Sequence, residues 1–423
     1  MKKIFNLLLL LILSIVLCSC VVRDKPFVEK NYEAQLNKVV RANLVSSKYQ
    51  DIPSELVERL GNFSSKILDG YIKEFGTNKN FTVSPLSIYL AVACLYPTLP
   101  DELQEELLNK MGVTKNDFLN TKLLMEQMFQ DDDSKLFLTN SVWIQKGYLA
   151  DENILNDLAN IYYCHAFSTD FKNDNTNANK LLREFIRDNT NGLIDKDFDL
   201  SPETLYALVN TLYLKDGWNS DGNKLSTEKH AFYNYDGTNQ ENEFLLGNYY
   251  SGYPIINDDF KMFYTRTSNF KVTILLPNED VDVNILFNAK TLNEMLKAEY
   301  CSYDLDKDVF YKTRLIFPQF EASSDEDIIP VFDNQLGIHG VFSEFNSRLL
   351  NEPVIVDKIN HVATIKVDRS GIEGAATTVI SNKATSDDPL KIIESDLLID
   401  RPFIFMISYR NINVFSGICY SMK

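Results

Sequence analysis

The chain has 423 residues, 45% of them hydrophobic and 24% charged, which is enough to bury a large core. A formal net charge of −17 argues against a nucleic-acid binder, which would carry a basic face. The six cysteines (Cys18, Cys20, Cys94, Cys164, Cys301 and Cys419) contain no CxxC pair, so neither a zinc site nor a dense disulfide framework is indicated. The last four read as buried free thiols, with one long-range disulfide left open.

At the N-terminus, Lys2 and Lys3 precede an apolar run, Leu7–Leu17, too short to span a membrane and laid out as a signal peptide. It ends Leu17-Cys18-Ser19-Cys20, which resembles the bacterial lipobox. That resemblance implies cleavage after Ser19 and a lipid on Cys20, with a plain secretory signal as the alternative. Residues 1–19 are thus expected to be a lipoprotein signal peptide. Residues 20–52 are polar and of mixed charge, a tether reaching roughly 30 Å.

From residue 53 the chain reads as one domain. Leu56, Leu60, Phe63, Ile67, Tyr71 and Phe75 recur at helical spacing, with Ser54 as a candidate cap and Gly76 as a stop. A second helix is expected over Asn175–Asn189, presenting Leu181, Leu182, Phe185 and Ile186. Strands are expected at Leu136–Ile144, Phe270–Leu276, Arg314–Phe317, Val362–Val367, Phe403–Tyr409 and Val414–Tyr420. The apolar run Leu205–Leu214 reads as a strand buried on both faces. Helices early and strands late indicate an α+β fold rather than a βαβ array.

Catalytic motifs are missing: there is no G-x-S-x-G, P-loop, dinucleotide fingerprint or HExxH. The four histidines, His165, His230, His339 and His361, stand far apart in sequence. Neither an enzyme nor a metal or cofactor protein is therefore expected. The unusual segment is Gly371–Asp388, small and β-branched in its first half and polar in its second. Written as a strand, it puts Ile372, Gly374, Ala376 and Thr378 on one face, and Glu373, Ala375, Thr377 and Val379 on the other. The first face is small enough to slide over a core. A disordered surface loop is the alternative.

Several segments, in order, resemble the serpin family. These are Asn80–Ile88; Thr190-Asn191-Gly192-Leu193-Ile194; Leu208–Lys215 with Trp218; Phe317-Pro318-Gln319-Phe320; Leu336-Gly337-Ile338 with Val341-Phe342; His361 ten residues before Gly371; and Asp400-Arg401-Pro402-Phe403. The resemblance covers residues 53–423. It implies a large mixed sheet with two further sheets, surrounding helices and an exposed reactive-centre loop at about 369–396. It further implies a monomeric suicide-substrate inhibitor that traps a serine or cysteine protease as an acyl complex by inserting its cleaved loop. A non-inhibitory serpin acting as a surface-binding lipoprotein is the alternative. With the lipid on Cys20, the protein is expected at the bacterial cell envelope or surface.

By the same resemblance, Gly371, Ile372, Glu373, Gly374, Ala375, Ala376, Thr377 and Thr378 form the hinge. Ser84, Ser87, Asn210 and His361 form a cluster that governs sheet opening, and Trp218 marks where the loop first enters. Counting forward from Gly371 puts the attacked bond at Thr385–Ser386, whereas counting back from Pro402 puts it at Lys391–Ile392. Lys383 offers a secondary cut. Among the departures from the family, which include Leu193 in place of a lysine, two bear on the loop: Arg369 replaces a glutamate, and Gln319 a lysine that commonly pairs with it.

Overall fold

A computed structural model describes residues 51–422 apart from 77, 132, 133, 220–223, 306, 357 and 374–390. The signal peptide, Cys20 and the tether up to residue 50 lie outside the described residues, as do Gly374–Thr378, Lys383, Thr385 and Ser386.

The helices are α1 (Ser54–Phe75), α2 (Pro85–Leu95), α3 (Asp101–Met111), α4 (Lys115–Leu119), α5 (Thr121–Met128), α6 (Glu152–Ile161), α7 (Asn175–Asn189), α8 (Val283–Leu286) and α9 (Ala289–Lys297). The strands are β1 (Phe81–Val83), β2 (Gln130–Asp131), β3 (Lys135–Gln145), β4 (Cys164–Thr169), β5 (Tyr206–Gly217), β6 (Ser226–Tyr233), β7 (Asn239–Leu246), β8 (Tyr250–Ser251), β9 (Ile255–Ile256), β10 (Phe260–Arg266) and β11 (Lys271–Pro277). They continue with β12 (Tyr303–Asp304), β13 (Val309–Pro318), β14 (Phe320–Asp327), β15 (Phe345–Ser347), β16 (Glu352–Val354), β17 (Asn360–Asp368), β18 (Gly371–Ile372), β19 (Lys391–Leu398), β20 (Phe403–Tyr409) and β21 (Ile412–Cys419).

The main sheet has the order β14-β17-β18-β5-β3-β2, with β4 added in parallel to β3. A second sheet runs β1-β21-β20-β11-β10-β9, and a third runs β12-β13-β7-β6 with β19 and β8 on β13. This is the expected α+β arrangement. Helix α1 buries its periodic stripe, Leu56, Leu60, Phe63, Ile67 and Tyr71. Gly76 closes it in the left-handed region, φ 43°, and donates to the Ile72 carbonyl. Ser54 does not cap it. Pro53 holds that place, its carbonyl accepting from Leu56 and Val57, while the Ser54 hydroxyl turns to Glu55. Helix α2 is apolar on nearly every side and is buried accordingly, packed between the main and second sheets. Its start is fixed by Pro85 at the first position and by the Ser84 hydroxyl, which accepts from the Ser87 N–H at 3.2 Å.

Three further expectations are corrected. The run Leu205–Leu214 is not buried on both faces, because Tyr206–Asn210 are only half-buried. The loop does not extend to residue 396: β19 starts at Lys391, where its residues join a parallel ladder with β13. Of the four domain cysteines, Cys301 is exposed, while Cys94, Cys164 and Cys419 are buried.

Candidate functional site

The half-burial of β5 has a simple cause. Along Tyr206–Lys215, β5 pairs with β3 on one side. On its other side, the only partners among the described residues are Gly371 against Gly217 and Ile372 against Asp216. Strand β17 mirrors this. It pairs with β14 along its length, but meets β18 only at Val367 and Asp368. Among the described residues the main sheet is therefore split into a β3–β5 half and a β14–β17 half, joined at one end by two residues. Between them lie two strand edges whose inward N–H and C=O groups lack a ladder partner among the described residues. Helix α7 covers the outer face near this split, where Ala207, Val209 and Val362 pack against the Trp143, Phe167 and Phe185 cluster.

Gly371 and Ile372 sit between the two halves, paired to β17 on one side and to β5 on the other. Gly371 sits at φ 146°, and a Cβ there would lie 2.1 Å from the Asp216 carbonyl and 2.9 Å from the Gly217 Cα. Only glycine fits. Ile372 is fully buried beside Val367, on the core side. Glu373 turns outward at φ 44°, with its N–H on the Lys366 carbonyl. Its carboxylate accepts from the Tyr213 hydroxyl at 3.2 Å, and that hydroxyl in turn accepts from the Asn191 amide at 3.1 Å. Burial pushes the Glu373 carboxyl up to about 7, against the pull of that hydrogen bond and of nearby Lys215 and Lys366. One of its oxygens is buried without a hydrogen bond.

Below the hinge, polar groups link the two halves through the start of α2. His361 of β17 accepts the Ser84 backbone N–H on Nε2 at 3.1 Å, which leaves the proton on Nδ1. Ser84 holds the Ser87 N–H, and the Ser87 hydroxyl donates to the Asn210 side chain on β5. Asn210 then donates to Asn140 at 2.7 Å, and Asn140 to the Tyr162 carbonyl at 2.7 Å. The structure thus brings together Ser84, Ser87, Asn210 and His361 and adds Asn140, directly opposite Asn210 in the β3–β5 ladder. Burial pushes His361 down to about 4, so it is neutral at pH 7.

Trp218 closes the top. Its indole N–H donates to the Asp368 carbonyl at 2.7 Å, tying the end of β5 to the end of β17. Its ring meets Phe317 edge-on at 5.7 Å. The two departures from the family pattern are neighbours here: the Arg369 N–H donates to the Gln319 side chain at 3.2 Å, a neutral contact. Lys391 and Ile392 are exposed but lie inside the ladder, opposite Val309 and Phe310. A protease would have to unpair them before cutting between them.

Asn140, Tyr213 and Asn191 were not singled out as site residues on the sequence. For Asn140 a signal existed, a polar triplet Thr139-Asn140-Ser141 between the apolar runs Leu136–Leu138 and Val142–Ile144 of its strand. For the Tyr213–Asn191 contact there was none.

A protein-family model described as Serpin (serine protease inhibitor) matches residues 58–420. Iripin-1 of Ixodes ricinus is 26% identical, over 78% of this chain and 85% of its own length. An uncharacterized serpin-like protein of Methanosarcina mazei is 23% identical over 98% of this chain and 96% of its own. Among solved structures, the thermophilic serpin tengpin in its native state superposes with a TM-score of 0.72 at 19% identity, covering 90% of this chain and 98% of tengpin. Thyroxine-binding globulin complexed with thyroxine gives 0.69 at 21% identity, covering 87% and 99%. With a family match running from α1 to the last strand, the chain belongs to the serpins, which are protease inhibitors rather than catalytic enzymes.

Proposed function

We propose that the protein is a suicide-substrate inhibitor that traps a serine or cysteine endopeptidase by filling its split sheet with its own cleaved loop. The observation that carries this reading is the seated start of the missing strand. The ladder already runs Gly371 against Asp368 and Ile372 against Val367. Continued residue by residue, it would pair Glu373 with Lys366 and, further down, Thr378 with His361. On the β5 side it would pair Thr378 with Asn210. The polar cluster thus lies where Thr378 would arrive. The core-facing residues of that strand would be Ile372, Gly374, Ala376 and Thr378, small enough below Ile372 to enter without displacing core side chains.

Each ladder hydrogen bond is worth about 0.5–1.5 kcal/mol net, so pairing both open edges is strongly downhill once the loop is cut. The protease nucleophile attacks the carbonyl before the cut, and the new amino end departs with β19. The acyl-linked enzyme is carried with the hinge half, and the trap holds if insertion outruns hydrolysis of the ester or thioester. Thr385–Ser386 is the proposed bond, with Lys383 as a second site for a trypsin-like enzyme. The lipobox resemblance supports attachment through Cys20 at the bacterial cell envelope.

The test is a gel screen against trypsin-, elastase-, subtilisin- and papain-like proteases. A complex that survives boiling in detergent is expected with at least one of them, and mass measurement of the released C-terminal peptide identifies the bond. If every enzyme clips the loop without being captured, the inhibitor reading fails. The fold would then serve as a surface-binding lipoprotein.

A further inference from the structure

The end of β5 that holds the hinge is fastened to two other segments through one buried side chain. Asp216 is fully buried. Its carboxylate accepts from the Ser134 hydroxyl, just before β3, and from the Asn269 backbone N–H at 2.8 Å, in the turn between β10 and β11. The Asn269 side-chain amide closes the triangle by donating to the Ser134 hydroxyl at 2.6 Å. The neighbouring backbone adds two ties. The Ser268 N–H donates to the Gly217 carbonyl at 2.9 Å, and Trp218 forms a bridge with Thr267. Strands β10 and β11 belong to the second sheet, so these contacts anchor the end of β5 to a separate layer.

Burying a carboxyl among neutral donors is costly, and packing alone would be better served by an apolar residue. What the carboxyl adds is two oxygens that hold donors from two segments in one place. The place matters, because Asp216 is also the ladder partner of Ile372, and Gly217 that of Gly371. The hinge glycine lies so close that a Cβ on it would stand 2.1 Å from the Asp216 carbonyl. The backbone that seats the hinge is thus the backbone that the Asp216 side chain pins.

We infer that Asp216 is a positioning residue: its carboxyl, held by Ser134 and Asn269, fixes the end of β5 where the hinge is seated and where the cleaved loop enters the sheet. Entry of the cleaved loop rests on the trapping mechanism proposed above. Seating of the hinge in the uncut chain does not.

The test compares the unaltered full chain with Asp216→Ala and Asp216→Asn. In the uncut chain, amide exchange at Ile372 and Glu373 is expected to be about fivefold faster in Asp216→Ala, while amides of β20 and β21 keep their rates. Asp216→Asn is expected to restore slow exchange, since its side-chain oxygen can still accept from the Asn269 N–H. Covalent complex per loop cut is expected to fall about fivefold in Asp216→Ala only.

Unchanged hinge exchange in Asp216→Ala overturns the proposal, as does an equal rise throughout the domain, which marks a merely structural role. Exchange as fast in Asp216→Asn as in Asp216→Ala also overturns it. If the unaltered chain captures no protease, the trapping mechanism fails, and hinge exchange alone decides whether Asp216 seats the hinge. If the unaltered chain does capture one and Asp216→Ala captures as much per cut, the role in loop entry is overturned. Should Asp216→Ala not fold, Ser134→Ala removes one donor and leaves the carboxylate. It is expected to speed hinge exchange roughly threefold, and no rise overturns the proposal.

Discussion

The two ends of the loop are held in opposite ways. At the hinge end, β18 contributes two residues, set between β17 and β5, whose facing edges have no further ladder partner among the described residues. At the far end, β19 keeps a parallel ladder with β13 from Lys391 to Leu398. Its side chains match across that ladder. Asp396 accepts two hydrogen bonds from Arg314, at 2.9 and 2.6 Å, and one from the Tyr249 hydroxyl at 2.9 Å. Glu394 faces Lys312, and Ser395 faces Thr313 at 3.2 Å. On the proposed mechanism, a cut between the ends frees the hinge side and leaves the other in place.

The sharpest way to break this asymmetry is to spoil the hinge. Ile372→Asp puts a charge where Ile372 is fully buried, at a cost of several kcal/mol. The variant is expected to fold with its hinge expelled and to yield at least about tenfold less covalent complex per loop cut, read on a detergent gel. Undiminished trapping would mean that the hinge does not enter the sheet.

The cluster beneath the split gives the next largest effect. His361 is neutral in the fold, with its proton affinity pushed down to about 4 from an ordinary value near 6.5. Between those values the unfolded chain binds the extra proton and the fold does not, so stability falls as pH drops from about 6.5 to 4. The loss is about 3 kcal/mol in all. His361→Asn should flatten that part of the melting-temperature profile.

Glu373 runs the other way. Its affinity is raised to about 7, so the fold binds the proton more tightly, and its contribution fades as pH rises from about 4.5 to 7. Glu373→Gln should leave behaviour at pH 4 unchanged and seat the hinge more firmly at pH 8, seen as slower proteolysis at the hinge. Faster proteolysis at pH 8 would show that the charged form is the one held in place. The smallest effect is expected at the far anchor. Asp396→Ala removes a partly exposed ion pair worth no more than about 1 kcal/mol. It should lower the melting temperature by only about 1–3 °C.

The same contrast explains what the sequence revealed. Helix α7 was legible from end to end, because Leu181, Leu182, Phe185 and Ile186 define one stripe. Of the expected hinge only Gly371, Ile372 and Glu373 are described, and Ile372 faces the core as the alternation anticipated. The split was not. An apolar run in a strand reads the same whether or not a neighbour is present, and the half-burial of Tyr206–Asn210 goes with an edge that has no strand beside it among the described residues. The start of β19 was hidden because Lys391 and Glu394 look like loop residues until their ladder with Val309 and Lys312 is known. The link from Asn210 through Asn140 to Tyr162 depends on strand register, which no single segment encodes.

The central claim is that the split between β5 and β17 is a site for the loop's own hinge. Amide hydrogen exchange before and after loop cleavage, by any protease that cuts without being captured, tests it most directly. The account predicts that amides of Tyr206–Lys215 and Asn360–Lys366 facing the split become strongly protected, while those of Lys391–Leu398 change little, and that the cleaved form melts well above the intact one. Unchanged exchange along β5 and β17, with a melting temperature no higher than before the cut, would contradict it.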